Sequence, residues 1–240
     1  MQVYNIKSLR GSLLFIVLLF VSTSCSLPLI GRDDDSTPTP SPDDIVTFDI
    51  PLFSTTLSPG ETIQATQMRY LGREGPAYKV TIDGQEALKR VGDSFQWRGV
   101  IAPGVASRYN LRISPTFSSS DMLAIGSVEL SIFNPVPVQL ENPGADSTAE
   151  LHFSNVKIDQ KVILGGQVPG TPFVFEGMTV DGAKFSGVAG FPYRAIGDSL
   201  FWSGRLRGNV AASFEMRVAS ANEERVRLIG IAELWITPTQ

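Results

Sequence analysis

Two short runs set a carboxylate beside a hydroxyl: Gly92-Asp93-Ser94 and, further on, Gly197-Asp198-Ser199. A serine nucleophile needs a base within hydrogen-bond reach. The chain's only histidine, His152, has no counterpart near the first run. Both runs therefore read as turns, in which Asp and Ser next to glycine bond their own backbone. Gly165-Gly166-Gln167-Val168-Pro169-Gly170 has neither the lysine nor the hydroxyl residue of a phosphate-binding loop, and it too reads as a turn. Histidine and cysteine occur once each and no Asp-rich loop recurs, so no metal site, cofactor or catalytic residue is assigned. The residues suited to binding are Phe191, Tyr193 and Arg194, in a loop richer in aromatic and basic character than its counterpart Gly84–Arg90, and Trp235, predicted on the polar face of its strand. An aromatic beside an arginine suits a protein or carbohydrate contact, although packing between domains would use the same residues.

The single cysteine, Cys25, closes a different pattern. Lys7 and Arg10 precede an apolar run from Leu13 to Val21, and Ser22, Thr23 and Ser24 lead into Cys25. This is the layout of an export signal, and the run is shorter than the roughly 20 apolar residues a membrane-spanning helix needs. Small residues ending at a cysteine resemble the lipobox of bacterial lipoproteins, which implies that Cys25 is lipidated and becomes the mature N-terminus. The match departs from that family at Ser22, where an aliphatic residue is usual; cleavage by the general signal peptidase is the alternative. Beyond it, Gly31 to Asp44 mixes an acidic run with Thr-Pro and Ser-Pro, an extended and self-repelling composition that reads as a tether. With no second cysteine, disulfides cannot brace the fold.

The elements that would position these residues come as two copies. A shift of 105 lays Gly92-Asp93-Ser94-Phe95-Gln96-Trp97-Arg98-Gly99 on Gly197-Asp198-Ser199-Leu200-Phe201-Trp202-Ser203-Gly204, and carries Tyr109, Leu111, Arg112 and Ile113 onto Phe214, Met216, Arg217 and Val218. After a one-residue change of register, Ile125-Gly126 and Glu129-Leu130 meet Ile229-Gly230 and Glu233-Leu234. Such self-similarity is the mark of a repeated folding unit. The expected layout is a signal peptide (1–24), a tether (25–44), a first repeat (45–135), a linker (136–149) and a second repeat (150–240).

Within each repeat the apolar residues alternate with polar ones. Tyr109, Leu111 and Ile113 face one way and Arg108, Asn110 and Arg112 the other, which is the period of a strand. Only Gln85 to Arg90 suggests a helical turn. The expectation is all-β, with roughly seven short strands per repeat arranged as two tandem immunoglobulin-like or Greek-key sandwiches; a single duplicated barrel is the alternative, because the linker could also be a crossover. Trp97 and Trp202 are expected in the cores. Arg112 with Glu129, and Arg217 with Glu233, are expected as cross-strand ion pairs.

The run from Trp97 through Pro103-Gly104 to the strand ending at Ile113 resembles the Trp-x-Gly, Pro-Gly and alternating-strand pattern of immunoglobulin-like repeats in bacterial surface proteins. The second copy keeps the tryptophan and the strand but has Arg207-Gly208-Asn209 in place of Pro-Gly. The resemblance implies spacing, adhesion or assembly roles.

Charge narrows the partners. Removing Lys7, Arg10 and Arg32, and Asp33, Asp34, Asp35, Asp43 and Asp44, from totals of 20 basic and 24 acidic residues leaves 17 against 19 in the folded part. A nearly neutral body without a basic stripe is a poor match for nucleic acid. The expected role is a non-catalytic, membrane-anchored extracytoplasmic lipoprotein that binds an envelope protein or a glycan, or acts as a spacer.

Overall fold

The computed structural model describes residues 44–141 and 151–238. The expected export signal, Cys25 and most of the expected tether lie outside the described residues, as does the expected linker from residue 142 to 149.

The described chain is all-β. The first half contributes β1 (Ile45–Leu57), β2 (Met68–Glu74), β3 (Ala77–Ile82), β4 (Gln85–Lys89), β5 (Ser94–Ala102), β6 (Val105–Ser114) and β7 (Met122–Phe133). The linker contributes β8 (Val138–Gln139). The second half contributes β9 (Leu151–Ile163), β10 (Val174–Thr179), β11 (Gly182–Ser186), β12 (Tyr193–Arg194), β13 (Ser199–Arg207), β14 (Val210–Ala221) and β15 (Arg225–Ile236). Gln85 to Lys89, where a helical turn was expected, is strand β4, paired with β3 from Tyr78↔Lys89 to Ile82↔Gln85.

Strands form where the alternation predicts them. Along β6, Tyr109, Leu111 and Ile113 are buried and Arg108, Asn110 and Arg112 exposed; β14 repeats this with Phe214, Met216 and Val218. In β7 and β15 the buried sets are Val128, Leu130, Ile132 and Ala232, Leu234, Ile236. Burying side chains of this size contributes about 1.5–3 kcal/mol each, and in β-strands only every second residue collects it.

The arrangement differs from two self-contained sandwiches. One nine-stranded sheet runs β5-β6-β7-β1-β9-β15-β14-β13-β8, and two three-stranded sheets, β2-β3-β4 and β10-β11-β12, stand apart from it. The halves meet where β1 and β9 pair antiparallel at Asp49↔Lys157. Their apolar side chains form one cluster. Phe53 of β1 lies 6.5 Å from Phe153 of β9, and Phe48 of β1 lies 5.7 Å from Phe214 of β14, so the core continues across the junction. The pairing of β1 with β9 is confined to Asp49↔Lys157, so most of the junction rests on side-chain packing rather than on ladder bonds.

Hydrogen bonds recur at equivalent places in the two halves. Thr66 Oγ1 donates to Ile63 O and accepts from Met68 N–H, as Thr171 Oγ1 does with Val168 O and Phe173 N–H. The repeated Trp-x-Gly has a packing cause: a Cβ on Gly99 would sit 2.7 Å from Cη2 of Trp97, and one on Gly204 would sit 2.6 Å from Cζ2 of Trp202. In each copy the indole therefore lies back over the glycine two residues ahead on the same face. Both tryptophans are buried, as expected.

Candidate functional site

The Gly-Asp-Ser runs are turn clamps. Asp93 Oδ2 accepts from Arg90 N–H at 2.8 Å while Gly92 N–H donates to Ile113 O. Asp198 Oδ2 accepts from Ala195 N–H at 2.8 Å while Gly197 N–H donates to Val218 O. Each carboxylate holds the entry to the strand that follows. His152 lies elsewhere, stacked on Trp235 at 5.3 Å with Nε2 3.5 Å from Glu233 Oε2.

The expected ion pairs are not formed, and register is the reason. Arg112 stands opposite Ile125 and donates to Gly92 O at 3.0 Å; Glu129 stands opposite Arg108. In the second half Arg217 is opposite Ile229 and Glu233 opposite Ser213. Four residues of register separate each arginine from its expected carboxylate, about 13 Å along a strand.

The expected binding residues are not gathered into one surface. Phe191 and Tyr193 pack on each other at 5.2 Å. Arg194 is spent on main-chain oxygens, donating to Ser199 O at 3.0 Å, to Tyr193 O at 2.8 Å and to Phe191 O. That ties the loop to the start of β13. Trp235 does face away from the core between buried Leu234 and Ile236, but it is level with Ala211 and hence with Arg205, at the far end of β13. Six residues of strand, about 20 Å, separate the two groups.

A different surface emerges on the outer face of the second half. Two rows cross it: Phe201, Glu215, Ile231 and Lys157, and beside them Ser199, Arg217, Ile229 and Asp159. Phe201 is 64 % exposed, and Ile229 and Ile231 are also open to solvent. The rows line a hollow of about 560 Å³. Arg227 closes one side with a two-pronged pair to Asp159, 2.8 Å at both contacts, and this holds the Asp159 carboxyl below the usual range. Arg217 has no ionic partner among the described residues.

In the first half the row beside Ser94, Arg112 and Ile125 is polar. Gln96, Asn110 and Ser127 stand in one row where Phe201, Glu215 and Ile231 stand in the other, and Gln96 Nε2 donates to Asn110 Oδ1 at 2.7 Å. Two polar side chains of that row have become large and apolar without a change of backbone register. The signal was present in the sequence, since aligning the two copies puts Gln96 on Phe201 and Ser127 on Ile231. Scattered exposed apolar residues are ordinary, whereas a cluster rimmed by charge marks a contact site.

Among the described residues no group of His, Cys, Asp or Glu side chains could hold a metal ion. Among the same residues there is no helix long and apolar enough to cross a membrane. No family model, curated protein or solved structure matches this chain.

Proposed function

We propose that this chain is a lipid-anchored, extracytoplasmic envelope protein, built from a duplicated sandwich-type unit, whose role is to bind another envelope protein through the outer face of its second half. The single observation that carries the reading is the replacement of Gln96 and Ser127 by Phe201 and Ile231 at equivalent places. An outward Phe and Ile gain nothing for the core, and clustering them beside Arg217 and Arg227 suits an interface with an apolar centre and a charged rim. The anchor rests on the leader and on Cys25, and the immunoglobulin-like affinity on the Trp-x-Gly pattern.

Two measurements test the reading separately. Intact mass of the membrane-extracted protein is expected to show acyl chains on an N-terminal Cys25; their absence overturns the anchor. A photo-crosslinking residue at position 201, in intact cells, is expected to give a discrete protein adduct that disappears in Ile231→Ser. Equal crosslinking from position 96, or no adduct at 201, overturns the contact face.

A further inference from the structure

The two outer strands of the large sheet are finished differently. Strand β13 is covered by β8: Val136 N–H donates to Leu206 O at 2.8 Å, Leu140 N–H to Ser203 O at 3.0 Å, and Ser203 Oγ to Leu140 O at 2.7 Å. The register is Gly204↔Gln139 and Arg205↔Val138. Strand β5 holds the same place in the first half, with a matching register shift between Val100 and Ala102 against that between Arg205 and Arg207. Yet β5 ends the sheet, with no strand beyond it among the described residues. The molecule therefore displays, on one half, how a strand adds to this edge and, on the other, the same edge open. An open edge presents unpaired N–H and C=O groups that a further strand can complete.

The side chains along this edge select what could lie there. Strands β5 and β6 carry Arg98, Arg108 and Arg112 and no carboxylate, while Glu129 of β7 stands opposite Arg108 on the side away from β5 without forming an ion pair with it. Arg112 is engaged by Gly92 O, but Arg98 and Arg108 face each other across the ladder, and neither has an ion pair among the described residues. Like charges directly opposite destabilise a sheet. A hollow of about 590 Å³ lies against them, lined also by Gln96 and Asn110. Its one carboxylate, Asp83, accepts from the Trp97 indole N–H at 2.9 Å. Val100, two residues along β5 from Arg98, is 70 % exposed. A second copy of this chain added edge to edge would bring another Arg98 towards the first, which the charge opposes.

We propose that the β5 edge receives an extended acidic segment of a partner polypeptide, added as a strand, with its carboxylates on the face that carries Arg98 and Arg108 and its apolar residues on the opposite face. This surface is separate from the Phe201 face and does not depend on it.

The test uses the full chain in detergent and three eight-residue peptides: alternating valine and glutamate, alternating valine and lysine, and the glutamate peptide N-methylated at every second amide. Amide hydrogen exchange over Ser94–Ala102 is the readout. The glutamate peptide is expected to slow exchange there at least fivefold, and the lysine and N-methylated peptides to leave it unchanged. Arg98→Glu, at an exposed position and with its thermal midpoint checked, is expected to turn the preference towards the lysine peptide. Equal protection by both charges, or by neither, overturns the proposal. It is also overturned if exchange over Ser94–Ala102 is already slow and speeds up when residues 26–43 are removed, or if it depends on protein concentration with the mass of a dimer. Those two results would assign the edge to this chain's own tether or to a second copy.

Discussion

Gly126 and Gly230 sit where the main chain of the neighbouring strand leaves no room for a Cβ, and Gly126→Ala tests whether that closeness is required. A Cβ on Gly126 would lie 2.9 Å from Leu111 Cα and closer still to the Asn110 carbonyl oxygen; on Gly230 it would lie 2.8 Å from Met216 Cα and closer to Glu215 O. The obstacle in both cases is main chain, so no side-chain rotation relieves it. Ordinary carbon–carbon contact is about 3.5–4.0 Å, so β6 and β7 would have to separate by nearly 1 Å. That stretches the ladder bonds flanking Leu111↔Gly126. Losing two of them at about 1 kcal/mol each, with overpacking strain of about 1–3 kcal/mol, gives a cost of about 3–5 kcal/mol. Gly75→Ala is the control: nothing lies within 4 Å of its Cβ, and only its φ of 60° opposes the change, for about 1 kcal/mol. Urea unfolding of the three proteins, compared by midpoint at constant slope, reads the difference. A Gly126→Ala protein within 1 kcal/mol of Gly75→Ala would refute the close-approach argument.

Four further outcomes follow from the same geometry. Asp83→Val leaves the buried indole N–H of Trp97 unpaired and is expected to cost about 1–3 kcal/mol. The natural Trp202, whose Nε1 is buried with no partner and whose counterpart to Asp83 is Val188, already bears such a loss, so Val188→Ala is expected to leave its indole signal unchanged by NMR. Removing the turn clamps by Asp93→Ala or Asp198→Ala is expected to lower stability by about 0.5–1.5 kcal/mol each, with no change in crosslinking from position 201. Burial pushes the Tyr109 hydroxyl up to about 12, above its unfolded value of about 10. The folded state thus holds that proton more tightly. Its contribution is fully present below about pH 10 and is lost as pH rises towards 12, by about 2–3 kcal/mol at most. Tyr109→Phe is expected to remove that part of the alkaline destabilisation, as read by unfolding at pH 8 and pH 11.5.

The strands were legible because their signal is local. Alternation along Tyr109–Ile113 or Val128–Ile132 needs no knowledge of what lies opposite, and Asp93 and Asp198 reveal their turns by spacing from glycine. What depended on pairing was not. Arg112 and Glu129 are on adjacent strands, as expected, but only the register shows that Ile125 and not Glu129 stands across from Arg112. Likewise, Val136 to Leu140 has the composition of a connection, yet it supplies backbone bonds to β13, because backbone groups pair without regard to side chain. The union of the halves through Asp49↔Lys157 leaves no mark in either strand's composition. Phe201 and Ile231 could have been found by asking of each aligned pair which way the residue points as well as whether it matches.

The place of β15 has a consequence for how the chain is made. This strand, ending at Ile236, fills an interior slot between β14 and β9. A ribosome or a translocation pore releases residues in order from the N-terminal side, so the slot stays vacant until almost the whole described chain has emerged. Until then β9 and β14 expose the flanks that β15 will cover, so the second half cannot lock before its last strand is released.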